Sequence, residues 1–431
     1  MLNQRLQELG DYAFQRLDRL LAGIVPAAPD GQVFTQTFAM HIGEPQGDVP
    51  DIAKTALTSA ASQWNRYAPA GGTEDFRAAV TAWLTQRYRL KPDLLDPARH
   101  VTPCPGTREA LFHTAVLAVP SPTHNDIPRN HRPVVLMPNP FYHTYYGAAI
   151  LTGAEPVLLD ATIENRFMPQ LTDAGSETLS RTALAYFCSP ANPQGTTASL
   201  EELVAALRLA RQHNFVLAVD ECYAEIYDQD PPPGALMAAA QLAEEKSAPS
   251  DPFANLLIFH SLSKRSSVPG LRSGFVAGDS RLIELMRRAI SYGGVATSLP
   301  VLSAATALWR DEAHVHLMRA RTRANWAVAQ KYLGTYPGYT AARAGFFLWL
   351  RVGDGEAMAQ HLWRSAGVRV MPGSYMGRTN TVTHINPGDS YVRIALVHSP
   401  EITEQALERI SSVLTTPTAI SLASSRQRKT G

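Results

Sequence analysis

Short, continuously apolar runs alternate with amphipathic stretches through the middle of this chain, and the alternation predicts its architecture. Between about residues 106 and 280, strands are expected at Pro133–Met137, Glu155–Leu159, Thr182–Phe187, Phe215–Val219, Leu256–Phe259 and Gly274–Gly278. Helical periodicity marks Arg108–Ala118 and Leu200–His213. Apolar strands without polar alternation, separated by helices, predict a mostly parallel sheet covered on both faces. Upstream, Leu2, Leu6, Leu9, Phe14, Leu17 and Leu20 recur at helical spacing, and Thr73–Arg89 reads as a helix capped by Thr73. Downstream, a long helical pattern covers Val301–Leu333, followed by the apolar run after Gly345, a helix near Met358–Ala366 and a strand at Tyr391–Val397. These elements predict a smaller α+β unit.

The connecting passages are equally distinct. Pro26 to Pro50 is rich in Pro and Gly and holds the turn Gly43-Glu-Pro. Ser121–Arg132 reads as a surface loop, and Asp228–Pro252 as a Pro-rich insertion carrying one helix, Ala235–Glu245. From Pro417 to Gly431 the apolar content is low, so a frayed tail is expected.

Composition narrows the classes. The 431 residues suffice for two domains, and 39 basic against 38 acidic residues give no electrostatic case for nucleic acid or an anionic membrane. No apolar stretch reaches the roughly 18 residues of a membrane span. Three scattered cysteines, Cys104, Cys188 and Cys222, form no metal-ligand pair and suit a reducing cytoplasm. An enzyme of the cytosol is expected, with no metal site.

The chemistry concentrates where strands end, the edge at which open parallel sheets bind ligands. Lys264 follows the strand Leu256–Phe259, with hydroxyls at Ser261 and Ser263 and Arg272 eight residues on. A lysine held beside an anion site can condense with a phosphorylated aldehyde. Asp220 ends another strand, where an acid can keep a heterocyclic nitrogen protonated, and Tyr223 follows within reach of a phenolic oxygen. Asn192 stands in Asn-Pro-Gln-Gly195, and Tyr142 offers a ring at the same edge. Gly106-Thr107-Arg108 opens a helix whose free N–H groups suit a phosphate. Each has an ordinary alternative: Thr107 as an N-cap, Asp220 as a capping acid, Lys264-Arg265 as a solvated pair. Together they meet the needs of one cofactor, pyridoxal 5′-phosphate.

In this order of motifs the chain resembles the class I/II aminotransferases of PLP fold type I from about Ile42 to Leu396. The matching elements are Gly43-Glu-Pro, Tyr67-Ala-Pro-Ala-Gly71, Gly106-Thr-Arg, Asn139-Pro-Phe-Tyr142, Asn192-Pro-Gln-Gly195, Asp220-Glu-Cys-Tyr223, Ser261-Leu-Ser-Lys264, Arg272 and Tyr391-Val-Arg393. The resemblance implies an α/β fold with a mostly parallel seven-stranded sheet between helices. It implies an N-terminal arm and part of the small domain over residues 1–45, a large cofactor domain over 46–298, a small domain over 299–416 and a disordered tail over 417–431. It implies that Lys264 binds the cofactor covalently and carries the substrate's Cα proton, that Asp220 pairs with the pyridinium, and that Tyr223 and Asn192 bond the ring oxygen. Tyr142 would stack on the ring. Gly106, Thr107, Arg108, Ser261, Ser263 and Arg272 would surround the phosphate, joined by Tyr67 of a second subunit in a homodimer. Arg393 would clamp the substrate carboxylate, helped by Gly43 and Asn192, and Asn139-Pro140 and Asn192-Pro193 would be cis.

The segment Ser-Leu-Ser-Lys264-Arg-Ser-Ser-Val-Pro-Gly-Leu-Arg-Ser-Gly is similar to the proteobacterial succinyldiaminopimelate aminotransferases, with Ser267 where those carry Asn. That likeness implies amino transfer between glutamate and N-succinyl-2-amino-6-oxopimelate, small amino-acid and 2-oxo-acid substrates. The distal carboxylate needs a second cation, for which Arg265, Arg343 and Arg378 stand as candidates. An aminotransferase for another amino acid and a PLP-dependent C–S β-lyase share the motifs. A PLP-binding transcriptional regulator would need a DNA-binding segment larger than the roughly 40 residues before Gly43.

Overall fold

The computed structural model describes residues 3–28, 30–120 and 132–424. Its centre is a seven-stranded sheet: β1 (Val101–Cys104), β2 (Val134–Asn139), β3 (Glu155–Asp160), β4 (Thr182–Cys188), β5 (Val216–Asp220), β6 (Leu256–Ser261) and β7 (Gly274–Gly278). The strand order is β1-β7-β6-β5-β4-β2-β3. Only β7 runs against its neighbours; the other pairings are parallel.

Both faces of the sheet are buried, which explains the continuous apolar runs. Along β4, Ala185 and Phe187 enter one core while Leu184 and Tyr186 enter another; along β6, Leu256 and Ile258 oppose Leu257 and Phe259 in the same way. Helices Glu74–Tyr88, Leu200–His213 and Leu299–Arg310 cover the first face, and Thr107–Ala118, His143–Thr152 and Ser280–Gly293 the second. A further core joins β8 (Phe347–Arg351) and β10 (Tyr391–Ala395), which also pairs with β9 (Met371–Pro372), to helices Ala313–Leu333, Gly355–Ala366 and Pro400–Leu414. The arm from the N-terminus reaches this core, where Phe38–Ala39 pairs in parallel with Val368–Arg369.

Several expected elements change. The long pattern Val301–Leu333 is two helices, broken at Asp311-Glu312, because Asp311 leaves helical geometry and its carboxylate caps the next turn at His314 N. The first segment is a 3-10 turn, Gln4–Leu9, and a helix, Ala13–Leu21, separated at Gly10, whose φ of 66° no ordinary helix continues. Strand β1 carries Pro103, which an edge strand tolerates and a periodicity search passes over. The insertion helix ends earlier than expected, at Leu242. Pro417–Ser424 is helical, against the frayed tail expected there, while residues 425–431 lie outside the described residues. The Ser121–Arg132 passage lies outside them as well, except at its last residue. Among the described residues no helix is long and apolar enough to cross a membrane.

Candidate active site

The parallel strands β4, β5 and β6 end at Cys188, Asp220 and Ser261 on one sheet edge, and a cavity of about 410 Å³ opens there. Lys264 enters it from a short helical turn, Leu262–Arg265, that starts where β6 stops. Ser261 Oγ caps that turn by accepting from Ser263 N at 3.1 Å and donates to Ser263 Oγ at 2.9 Å. Lys264 Nζ donates to Gly43 O at 2.6 Å. Burial strips water from the ammonium and lowers its pKa from 10.5 to about 8, with Cys222 opposing and Arg393 adding to the shift.

Asp220 sits at the far side of the sheet edge, buried. Tyr145 Oη donates to its Oδ2 at 2.7 Å and Cys222 N to its Oδ1 at 3.2 Å, so the carboxylate is held in one orientation. Tyr145 is itself fixed by stacking on Tyr186, with centroids 4.3 Å apart and planes 9° apart. Tyr223 also lines the cavity, and burial raises its phenol pKa well above 10, so it remains an O–H donor. Tyr142 lies nearby, edge-on to Tyr145 at 5.7 Å, and its Oη accepts from Arg108 Nε at 2.7 Å.

The anion cup forms where helix Thr107–Ala118 begins. No side chain caps this helix, which leaves its first-turn N–H groups for another acceptor. Gly106 has φ 95°, and a Cβ placed on it would stand 2.4 Å from Arg272 Nη2. Arg272 is itself held by Pro269 O at 3.0 Å and Glu109 at 3.2 Å. Thr107 Oγ1 lies 3.0 Å from Cys222 Sγ.

Across the cavity, Arg393 projects from β10. It donates from Nη2 to His41 O at 2.8 Å and from Nη1 to Asn192 Oδ1 at 3.3 Å, while its buried Nε has no partner. Its guanidinium stacks 4.2 Å from the Phe347 ring centre. Burial lowers its pKa to about 10, so it remains a cation at neutral pH.

Thus Gly43, Thr107, Arg108, Tyr142, Asn192 and Asp220 face the same cavity as Tyr223, Ser261, Ser263, Lys264, Arg272 and Arg393. Gly106 lies against Arg272 at its edge. Tyr67 does not join them: its side chain is fully exposed. The peptide bonds Asn139-Pro140 and Asn192-Pro193 are cis as expected, and Ser189-Pro190 is a third. The expected distal cations do not reach the cavity. Arg265 is buried rather than solvated, bonded to Glu312 and packed between Trp83 and Trp309. Arg343 is exposed, and Arg378 donates to Leu9 O at 2.6 Å over the Tyr146 ring. The sequence does not single out Tyr145 and Cys222 as site residues; Tyr145 lies in the first turn of the helix that Tyr142 precedes as N-cap, so the two rings enter the site from one helix start.

The donor set fits pyridoxal 5′-phosphate: an uncapped helix start and Arg272 for a phosphate, Asp220 for a ring nitrogen, and Lys264 for an aldehyde. A family model, "Aminotransferase class I and II", matches residues 35–410. The chain is 30% identical over 390 residues to 4-dedimethylamino-4-oxo-anhydrotetracycline transaminase OxyQ of Streptomyces rimosus, covering 89% of this chain and 94% of that protein. It is 26% identical to the LL-diaminopimelate aminotransferase of Syntrophobacter fumaroxidans, over 94% of this chain and 97% of that one. Among solved structures it is similar to an aminotransferase of Neisseria meningitidis, with a TM-score of 0.86 and 36% identity over 96% of this chain and 100% of that one. The aminotransferase AspB of Helicobacter pylori gives 0.81 and 34%, over 94% and 98%.

Proposed function

Since the chain belongs to the class I and II aminotransferases, which depend on pyridoxal 5′-phosphate, we propose that it exchanges an amino group between glutamate and N-succinyl-2-amino-6-oxopimelate. The observation that carries this reading is a surplus of cations in the cavity. Lys264, Arg272 and Arg393 each have a place in amino transfer itself, and Arg108 is left over with both Nη atoms free of hydrogen bonds to the described residues. A substrate with a carboxylate farther from the reacting carbon than the γ-carboxylate of glutamate supplies the missing anion. Support also comes from the segment after Lys264, which resembles the succinyldiaminopimelate enzymes, and from relatives named for LL-diaminopimelate, another diacid. LL-diaminopimelate itself is the second reading, favoured by those relatives.

When bound, the cofactor supplies an electron sink for charge developing at the substrate Cα. On this reading Lys264 takes the Cα proton as a neutral amine, a form its lowered pKa makes accessible near neutral pH. Asp220, oriented by Tyr145 and Cys222 N, would pair with the ring nitrogen, and the neutral phenol of Tyr223 and the amide of Asn192 would donate to the ring oxygen. Gly106, Thr107, Ser261, Ser263 and Arg272 would hold the phosphate, and Tyr142 would cover the ring. Arg393 fixes the α-carboxylate bidentately. Tyr67, fully exposed on its own chain, serves the phosphate of a second subunit in a homodimer. Residues 46–298 form the cofactor domain and 299–416 the small domain that carries Arg393.

The test is a substrate panel run on wild type and Arg108→Gln. The reading requires kcat/KM for the succinylated substrate to fall selectively in the variant, with glutamate turnover much less affected. Equal effects on both substrates, or preference for aspartate, would refute the assignment.

A further inference from the structure

Lys264 is a wall shared by two cavities. In front lies the active-site cavity; behind lies a second, of about 640 Å³, between the strap from Pro45 to Ile52, the start of helix Ala313–Leu333 and Phe346. The chain just before that strap supplies, at Gly43 O, the acceptor that holds Lys264 Nζ. The second cavity is far larger than one water requires, and its lining is polar near the lysine, with Ser266, Ser267 and His314.

Three of its lining side chains form a chain of hydrogen bonds. His314 Nδ1 lies 2.5 Å from Asp311 Oδ2, which also accepts from His314 N at 3.1 Å, and His314 Nε2 lies 2.8 Å from Ser266 Oγ. An ionised carboxylate only accepts, so Nδ1 carries the proton, and Nε2 accepts from the Ser266 hydroxyl. Burial lowers the pKa of His314, which favours this neutral ring. Side-chain exposure increases outward, from 10% at His314 to 28% at Asp311, while Ser266 is buried at 1%. A relay thus runs from the lysine turn to solvent.

We propose that the second cavity, with its Ser266–His314–Asp311 relay, is the route by which Lys264 exchanges protons with solvent during turnover. The inference rests on the reading of Lys264 as carrier of the Cα proton. With ligands filling the front cavity, the rear cavity is the side from which water reaches the nitrogen. The amine accepts the Cα proton and becomes an ammonium. One N–H proton then leaves to cavity water or the relay as a solvent proton replaces it, so charge and atom count stay constant and only isotopic identity changes.

Cα-deuterated glutamate incubated with holoenzyme and 13C-labelled 2-oxoglutarate reads this directly, through the fraction of newly formed 13C-glutamate that carries deuterium. Thr322→Phe plugs the cavity, and the native hydroxyl bonds only its own helix at Met318 O, so no hydrogen bond between elements is lost. Ser266→Ala cuts the relay. The fraction is expected to be low in wild type and to rise several-fold in both variants. In the apoenzyme, 15N shifts of His314 should report a neutral ring protonated at Nδ1. Deuterium carried over fully in wild type, washout in Thr322→Phe equal to wild type, or protonation at Nε2 would each overturn the inference. Deuterium loss that persisted in Lys264→Ala would instead overturn the reading of Lys264 on which it rests.

Discussion

Replacing Arg393 by lysine keeps a cation in the cavity and removes the fork, which isolates what the fork contributes. A guanidinium has five N–H donors. His41 O and Asn192 Oδ1 occupy two of them, and the buried Nε has no partner, so three remain for an incoming carboxylate. Two parallel bonds use the planar geometry fully; a lysine ammonium, a point charge, would make one. A hydrogen bond to a charged group contributes about 1.5–3 kcal/mol, so Arg393→Lys should lose roughly 10- to 150-fold in kcat/KM. Arg393→Gln forfeits both bonds and the charge, and should lose roughly two to four orders of magnitude. The assay is the single-turnover reaction with glutamate, followed by the visible absorbance of the bound cofactor, after showing that each variant binds cofactor as wild type does. Arg393→Lys within a factor of about three of wild type would refute the bidentate clamp.

Other outcomes follow from the same geometry. Gly106→Ala puts a methyl 2.4 Å from Arg272 Nη2 at a φ of 95°, so cofactor affinity should fall at least tenfold (about 1.4 kcal/mol) with the fold intact; unchanged affinity by equilibrium dialysis would contradict the cup. Covalent attachment of the cofactor to apoenzyme needs the neutral amine, so its rate should climb as pH rises through about 8 and then level; a midpoint near 10.5 would show that burial does not depress Lys264. The same depression makes burial of the lysine costly below pH 8 by about 3 kcal/mol, a cost that disappears as pH rises toward 10.5. Apoenzyme Lys264→Met should therefore gain stability in urea at pH 7.5 and little at pH 10.5, and an equal gain at both would count against it. Tyr145→Phe keeps the ring stack and deletes the donor to Asp220, so turnover should drop about tenfold or more, near 1.5 kcal/mol, without loss of thermal stability; full activity would remove Tyr145 from the site.

The chain pattern discloses its central sheet because both faces are buried, and apolar runs such as Leu256–Phe259 have no other use. It conceals β1, whose Pro103 is acceptable only at an edge that a linear reading cannot see, and it conceals the break at Asp311, across which apolar periodicity continues. At the site, residues with unusual chemistry at strand ends were legible: Lys264, Asp220 and Asn192 meet in one cavity. Contacts set by packing were not. Tyr145 reaches Asp220 only because its ring lies stacked on Tyr186 of the neighbouring β4, and Arg265 looks solvated beside Lys264 although two tryptophans enclose it. Arg108 reads as part of a phosphate loop, and only the structure shows its Nε bonded to Tyr142 Oη on the cavity wall.

The substrate assignment is tested most directly by mixing holoenzyme with single amino donors and following loss of the visible cofactor absorbance. Glutamate and N-succinyl-LL-2,6-diaminopimelate should both bleach it, the latter saturating at concentrations below those needed for LL-diaminopimelate, aspartate or aromatic amino acids. Bleaching by aspartate in preference to the succinylated diacid would contradict the account.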